Sequence, residues 1–159
     1  MECAVLVLGI GNTLLSDDGV GVHVIRSLEE DGRTPHTSDQ IRLRDAGTLG
    51  LALLPEIADA KGLIIVDATN FGGQPGEVQL FEDERMDKIL GVKRDTPHEI
   101  SMSDLISAAR LSDSLPERRA LIAIQPADTA LGLDPTGAVA AAIPVARTIV
   151  SETIERWLT

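Results

Sequence analysis

The sequence predicts an α/β fold: a single domain over residues 1–159 built on a mostly parallel sheet. Three observations carry this. Short apolar runs rich in β-branched residues alternate with stretches of helical periodicity. The length suits one domain with a sizeable core. No internal repeat, low-complexity segment or interdomain linker interrupts the pattern.

Cys3 to Leu8 reads as a buried strand that ends at Gly9. Gly19 to Glu30 reads as a helix with Val20, Val24, Ile25 and Leu28 on one face, and Asp17 or Asp18 is placed to cap it. Asp31 to Asp39 is a polar loop. Ile41 to Arg44 is a short strand, followed by the turn Asp45-Ala46-Gly47-Thr48 and a second helix over Leu49 to Ala60. Gly62 to Val66 is a strongly apolar strand running into Asp67. Gly72 to Gly76 is a turn, and Glu77 to Phe81 alternates polar and apolar residues as an edge strand does, free to pair antiparallel. A short helix over Asp83 to Ile89, a charged loop from Gly91 to Pro97 and a helix over Ser101 to Leu111 follow. The fifth strand is Ala120 to Ile124. Leu131 to Pro135 is a loop, and Ala138 to Leu158 a long helix that Pro144 kinks or restarts.

Composition narrows the function classes. The formal net charge is -11, from 25 acidic and 14 basic side chains, which disfavours nucleic acid and anionic membrane as partners. Aromatic residues are 2% of the chain, too few for a base-stacking platform. Cys3 is the only cysteine, so disulfide frameworks and cysteine-based zinc sites are excluded, and Cys3 itself reads as a small buried hydrophobe. No basic leader precedes the first apolar run, and no apolar stretch reads as long enough to cross a bilayer, so a cytoplasmic protein is expected.

The segment Gly9-Ile10-Gly11-Asn12-Thr13-Leu14-Leu15-Ser16-Asp17-Asp18-Gly19-Val20-Gly21 is the most informative. It begins as a nucleotide-binding turn does, but the third glycine of that fingerprint falls on Leu14, and the loop delivers two carboxylates that would repel a pyrophosphate. A cation or a proton suits them better. Loops at the carboxyl ends of strands collect functional groups in such sheets. Asp18, Asp45 and Asp67 each follow a strand, and His98 comes from a separate loop. Asp67 is either a crevice carboxylate or a turn former. Asp45, before Ala46-Gly47-Thr48, reads more naturally as a turn residue. His23 and His36 read as structural or solvated. Asp18, Asp67 and His98 together would suit a divalent first-row metal such as nickel or zinc. There is no His-Glu-x-x-His, no Gly-x-Ser-x-Gly and no Walker A sequence.

These ordered motifs give the chain a family likeness. The Gly9–Gly21 block, Asp45-Ala46-Gly47-Thr48, Ile64-Ile65-Val66-Asp67-Ala68, Pro97-His98 before a helix, and Gln125-Pro126 together resemble the hydrogenase maturation proteases. The resemblance spans almost the whole chain. It implies a twisted sheet with helices on both faces and an endopeptidase that removes the C-terminal extension of the nickel-loaded [NiFe] hydrogenase large-subunit precursor. It implies that Asp18, Asp67 and His98 recognise the nickel carried by the substrate, for which zinc or another divalent ion can substitute. The first of these positions is glutamate in some members and aspartate here. Asp45 matches a recurrent aspartate without a clear role. A monomer is expected. The alternatives are a related germination-type endopeptidase and a non-catalytic metal-binding accessory module for hydrogenase assembly.

Overall fold

A computed structural model describes residues 2–31, 40–91 and 97–159, without the side chains of residues 97–101. Among the described residues five strands form one sheet: β1 (Cys3–Ile10), β2 (Ile41–Gly47), β3 (Ala60–Ala68), β4 (Val78–Glu82) and β5 (Arg118–Ile124). The strand order is β2-β1-β3-β5-β4. β1 pairs in parallel with both β2 and β3, and β3 in parallel with β5; only β4 runs antiparallel, at the edge beside β5. The helices are α1 (Val20–Asp31), α2 (Leu54–Ala58), α3 (Glu84–Leu90), α4 (Pro97–Leu111) and α5 (Gly137–Leu158).

The strand residues sort alternately into two cores. Leu6, Leu8, Leu63, Ile65 and Leu121 face one side, where Ile57 of α2 and Met102, Leu105 and Ala109 of α4 cover them. Val5, Val7, Ile64, Val66 and Ile122 face the other, under Val24 and Ile25 of α1 and Ala142, Ala146 and Val150 of α5. Burial on both faces explains why the strands read as continuous apolar runs rather than as alternation. Each buried leucine, isoleucine or valine contributes about 1.5–3 kcal/mol relative to exposure. β4 does not keep one fully exposed side: Val78 and Leu80 pack on one core and Phe81 on the other, leaving only Gln79 exposed in the strand.

Several elements differ from expectation. The second helix is broken into a 3-10 turn, Gly50–Leu53, and the short α2. Pro55 suits the first turn of α2 and cannot extend the preceding one, since it has no N–H to donate. Asp45, paired with Gly9 of β1, and Ala46, at the bulge where the register shifts, lie within β2 rather than in a turn. α4 begins at Pro97, so His98 stands in its first turn rather than in a loop, and the charged segment at 92–96 lies outside the described residues, as does the polar loop at 32–39. α5 runs through Pro144 without a break. With 22 residues and its apolar composition, α5 is long enough to cross a membrane, contrary to expectation. Its buried residues Val139, Ala142, Ala146, Val150 and Ile154 lie on the sheet, which accounts for the composition.

Candidate active site

β1 leads through α1 to β2 on one side, whereas β3 leads onward to β5 on the other. The connections therefore diverge between β1 and β3, and the carboxyl ends of these two strands open onto a topological switch point, the usual place for ligands in open α/β sheets. The Gly9–Gly21 segment folds over it.

Close packing explains the glycines of that segment. A Cβ on Gly21, in the first turn of α1, would lie 2.1 Å from the Val66 carbonyl oxygen and 2.6 Å from that of Ile10. Gly11 has φ +131°, and a Cβ there would lie 1.9 Å from the Asp18 carbonyl oxygen. The glycines seat backbone on backbone at the centre of the sheet, not at its edge, and no phosphate need be invoked.

Asp18 lies in a 3-10 turn, Ser16–Gly19, that packs against β3. The residue is 3% exposed, and its Oδ2 accepts a hydrogen bond of 3.0 Å from the Asn12 N–H. Asp67 is the penultimate residue of β3, 2% exposed and in register with Ala123 of β5. By strand alternation it points to the face that α4 covers, since Ile65 and Ala123 belong to that core. The predicted pair of carboxylates is thus brought to one end of two adjacent strands. His98 enters on the same side through the first turn of α4, and its side chain lies outside the described residues. Among the described residues no three histidine, cysteine or acidic side chains form a metal-ligating group.

Asp45 does not join that pair. It points to the opposite face, where Arg26 of α1 holds its Oδ2 at 3.2 Å. Both line an open cleft of about 560 Å³ between Gly11–Leu14 and Gly47-Thr48. His23 lies nearby in α1, and burial, then Arg26, depresses its pKa below the ordinary imidazole value.

Two residues do more than the sequence suggested. Asp17 does not cap α1. It is fully buried, and its carboxylate accepts hydrogen bonds from the N–H groups of Ala127 (2.8 Å), Asp128 (2.9 Å) and Thr136 (2.6 Å) and from the Thr136 hydroxyl (2.9 Å). Burial pushes its pKa up, but these donors outweigh burial and hold it below the usual carboxylate range. Gln125 braces the loop after β3: its Oε1 accepts from the N–H groups of Phe71 (3.0 Å) and Gly73 (3.1 Å), and its Nε2 donates to Asn70 Oδ1 (3.1 Å). Both act on residues distant in sequence. The position of Asp17 before a helix favoured a local cap, whereas Gln125 stood out only as part of a family motif.

Comparison with known proteins agrees with this architecture. Residues 22–153 match the family described as HycI, hydrogenase maturation protease; the match includes Asp67 and His98 and begins past Asp18. Hydrogenase expression/formation protein HupD of Rhodobacter capsulatus is 39% identical over 124 residues, which span 78% of this chain but only 58% of that protein. The hydrogenase 2 maturation protease of Escherichia coli is 33% identical over 135 residues, covering 83% of this chain and 80% of that one. Among solved structures, the hydrogenase maturating endopeptidase HybD from Escherichia coli superposes with a TM-score of 0.87 at 28% identity, covering 96% of this chain and 93% of the other. The maturation protease HybD from Thermococcus kodakarensis gives 0.76 at 25% identity, covering 94% and 97%. On its sequence, its sheet order and these likenesses, the chain belongs to the hydrogenase maturation protease family.

Proposed function

We propose that the chain is the endopeptidase that removes the C-terminal extension from the nickel-loaded large-subunit precursor of a [NiFe] hydrogenase. The observation that carries the reading is the pair of buried carboxylates, Asp18 and Asp67, at the carboxyl ends of adjacent strands. Carboxylate oxygens gathered at a topological switch point are hard donors of the kind a divalent cation takes. The substrate's nickel is such a cation. Asp18, Asp67 and, by its position in the first turn of α4, His98 supply oxygen and imidazole donors of the kind a divalent first-row metal accepts. These residues recognise the metal as part of the substrate, so a precursor without nickel presents nothing for them to hold. Zinc or another divalent ion can occupy the same donors in its place.

Hydrolysis itself adds water to the scissile carbonyl carbon and breaks its bond to nitrogen. One proton of the water passes to the departing amine. A metal at the carbonyl would polarise it and acidify the attacking water.

Incubation with nickel-loaded and nickel-free precursor tests the reading. Wild type removes the tail from the loaded precursor only. Asp18→Asn, Asp67→Asn and His98→Ala, each checked for folding by circular dichroism, lose activity by more than the roughly tenfold to hundredfold that an outer-shell substitution costs. Equal cleavage of the nickel-free precursor would exclude metal recognition. Wild-type rates in all three variants would exclude the site. Binding of the precursor without cleavage would identify an accessory module instead.

A further inference from the structure

The cleft that holds Arg26 and Asp45 borders the acidic site, although Asp45 and Asp67 point to opposite faces of the sheet. Asp45 and Val66 both pair with Gly9, from the two sides of β1. Two strand spacings therefore separate Asp45 from Val66, the neighbour of Asp67, or roughly 10 Å across the carboxyl end of the sheet. Asn12 joins the two places: its N–H donates to Asp18 Oδ2 at 3.0 Å, and the residue lines the cleft. The Gly11 N–H, bonded to the Gly47 carbonyl at 2.9 Å, ties the same loop to the end of β2.

The ion pair in the cleft is closed on one side and open on the other. Arg26 brings two nitrogens, Nε and a terminal one, each to 3.2 Å from the same Asp45 oxygen, Oδ2. Among the described residues nothing donates to Oδ1. By contrast, Arg119 grips both oxygens of Asp87. Asp45 Oδ1 faces the space over Gly47: a Cβ on that glycine, whose φ is +52°, would have Oδ1, 4.0 Å away, as its nearest contact beyond its chain neighbours. The Arg26 side chain is 51% exposed and that of Asp45 36%, and a pair so exposed contributes little to stability. What it offers the cleft is an acceptor, Oδ1, beside the unused N–H groups of the guanidinium. The main chain of a peptide presents the complementary couple, an N–H and a C=O, whatever its side chains.

The cleft, of about 560 Å³, has the size that small ligands and short peptide segments fill. An extended chain advances about 3.3 Å per residue, so three residues reach from the acids to Asp45. We propose that the Arg26–Asp45 pair is a positioning clamp for the peptide chain of the substrate. It binds the main chain about three residues from the scissile bond, Oδ1 accepting an N–H and the guanidinium donating to a C=O. The proposal rests on the endopeptidase reading, with the scissile bond at Asp18 and Asp67. Neither Arg26 nor Asp45 touches the metal or the reacting carbonyl, so the pair sets KM and not kcat.

The probe is a synthetic peptide that copies the precursor sequence across the scissile bond and carries no metal; its Kd is measured by calorimetry. Methylating its backbone nitrogens one at a time removes one donor from each peptide. A single methylation, about two to four residues from the scissile bond, is expected to raise Kd about tenfold for wild type and not for Asp45→Ala. Alanine at the same peptide position is expected to leave Kd within about twofold, because the clamp reads main chain. Arg26→Met keeps the length of the side chain without its donors. It is expected to raise the peptide Kd, and the KM for nickel-loaded precursor, about tenfold with kcat within about twofold of wild type. Lys61→Met removes an exposed cation at the amino end of β3 and is expected to change none of these constants. A peptide that wild type does not bind, a methylation scan with no Asp45-dependent position, or wild-type constants in Arg26→Met would each overturn the clamp and leave the pair as a surface contact between α1 and β2. A fall in kcat alone for Arg26→Met would overturn the positioning role. Wild type that leaves the loaded precursor uncut, yet binds the peptide with the Asp45-dependent penalty, would overturn the endopeptidase reading and leave the peptide clamp standing.

Discussion

Asp87 shows how much one side chain can organise here. Arg119 of β5 grips it with both arms, Nε to Oδ1 at 2.8 Å and a terminal nitrogen to Oδ2 at 2.6 Å, while Arg110 of α4 adds a third bond at 2.8 Å. The hydrogen bonds from Arg119, against the opposing effect of burial and with the charges of Arg119 and Arg110 assisting, hold its pKa below the ordinary carboxylate value. A depressed folded pKa means stabilisation that is complete above the unfolded value, about 3.9, and is lost as pH falls through the folded one. Asp87→Asn is therefore expected to lower unfolding free energy by roughly 2 kcal/mol at neutral pH. In urea titrations across the acid range, the gap from wild type should close as the pH drops below about 3.9. A gap constant down to the lowest pH would show that the carboxylate charge is not what holds α3, α4 and β5 together. Asp17 is shifted in the same direction but by neutral donors, so the local attraction at that carboxylate owes nothing to a cation. At the residue scale the sequence disclosed the types and not the partners: Asp17 and Asp18 are neighbours, and nothing in their spacing tells that one turns toward the β5–α5 loop and the other toward Asn12.

Among the elements, the connections at the carboxyl end of the sheet are held by side chains as well as by backbone. Gln125, directly after β5, satisfies two N–H groups and the Asn70 amide in the loop that follows β3. Gln125→Ala leaves the Phe71 and Gly73 amides without that acceptor, at a cost of about 1–3 kcal/mol for each group left buried and unmet. Native-state hydrogen exchange at Phe71 and Gly73 is expected to quicken tenfold or more, whereas the amides of Thr69 and Gly76, bonded to the backbone carbonyls of Ile124 and Gln125, change less. Equal protection in the variant would show that the loop is held by something else. Strands were the legible elements, since β1, β3 and β5 are apolar on both faces and bounded by polar or glycine residues. Their ends were not. Asp45, Asp67 and Arg118 are charged residues that sequence logic sets outside strands, yet ladder pairing carries β2, β3 and β5 through or up to them. The start of α4 was missed for the opposite reason: proline, taken as the end of a loop, serves equally well as the first residue of a helix.

Taken whole, the molecule divides its labour along the strands. The carboxyl end of the sheet holds the buried acids and the loop that Asp17 gathers, and the amino end holds the Asp87–Arg119 pair and the packing of Trp157. The sequence was enough to predict a five-stranded, mostly parallel sheet with an antiparallel edge. It was silent on strand order, because the divergence of connections between β1 and β3 is a property of the assembled sheet, and with it on why Asp18 and Asp67 come to the same end of that sheet. One feature of the quiet end has a practical value. Gly62, near the start of β3, leaves room for the ring of Trp157 from the last turn of α5; a Cβ there would lie 2.9 Å from two of its carbons. Trp157 is the only tryptophan, and the backbone carbonyl it carries is fixed by Arg118 at 2.7 Å. Five residues along β3 separate Gly62 from Asp67, roughly 16 Å at the usual strand rise. The protein thus contains a single native fluorophore that watches the clasp between its C-terminal helix and its sheet while remaining blind to events at the acids. Its emission should follow the loss of ellipticity through one cooperative transition on unfolding and stay constant when precursor binds.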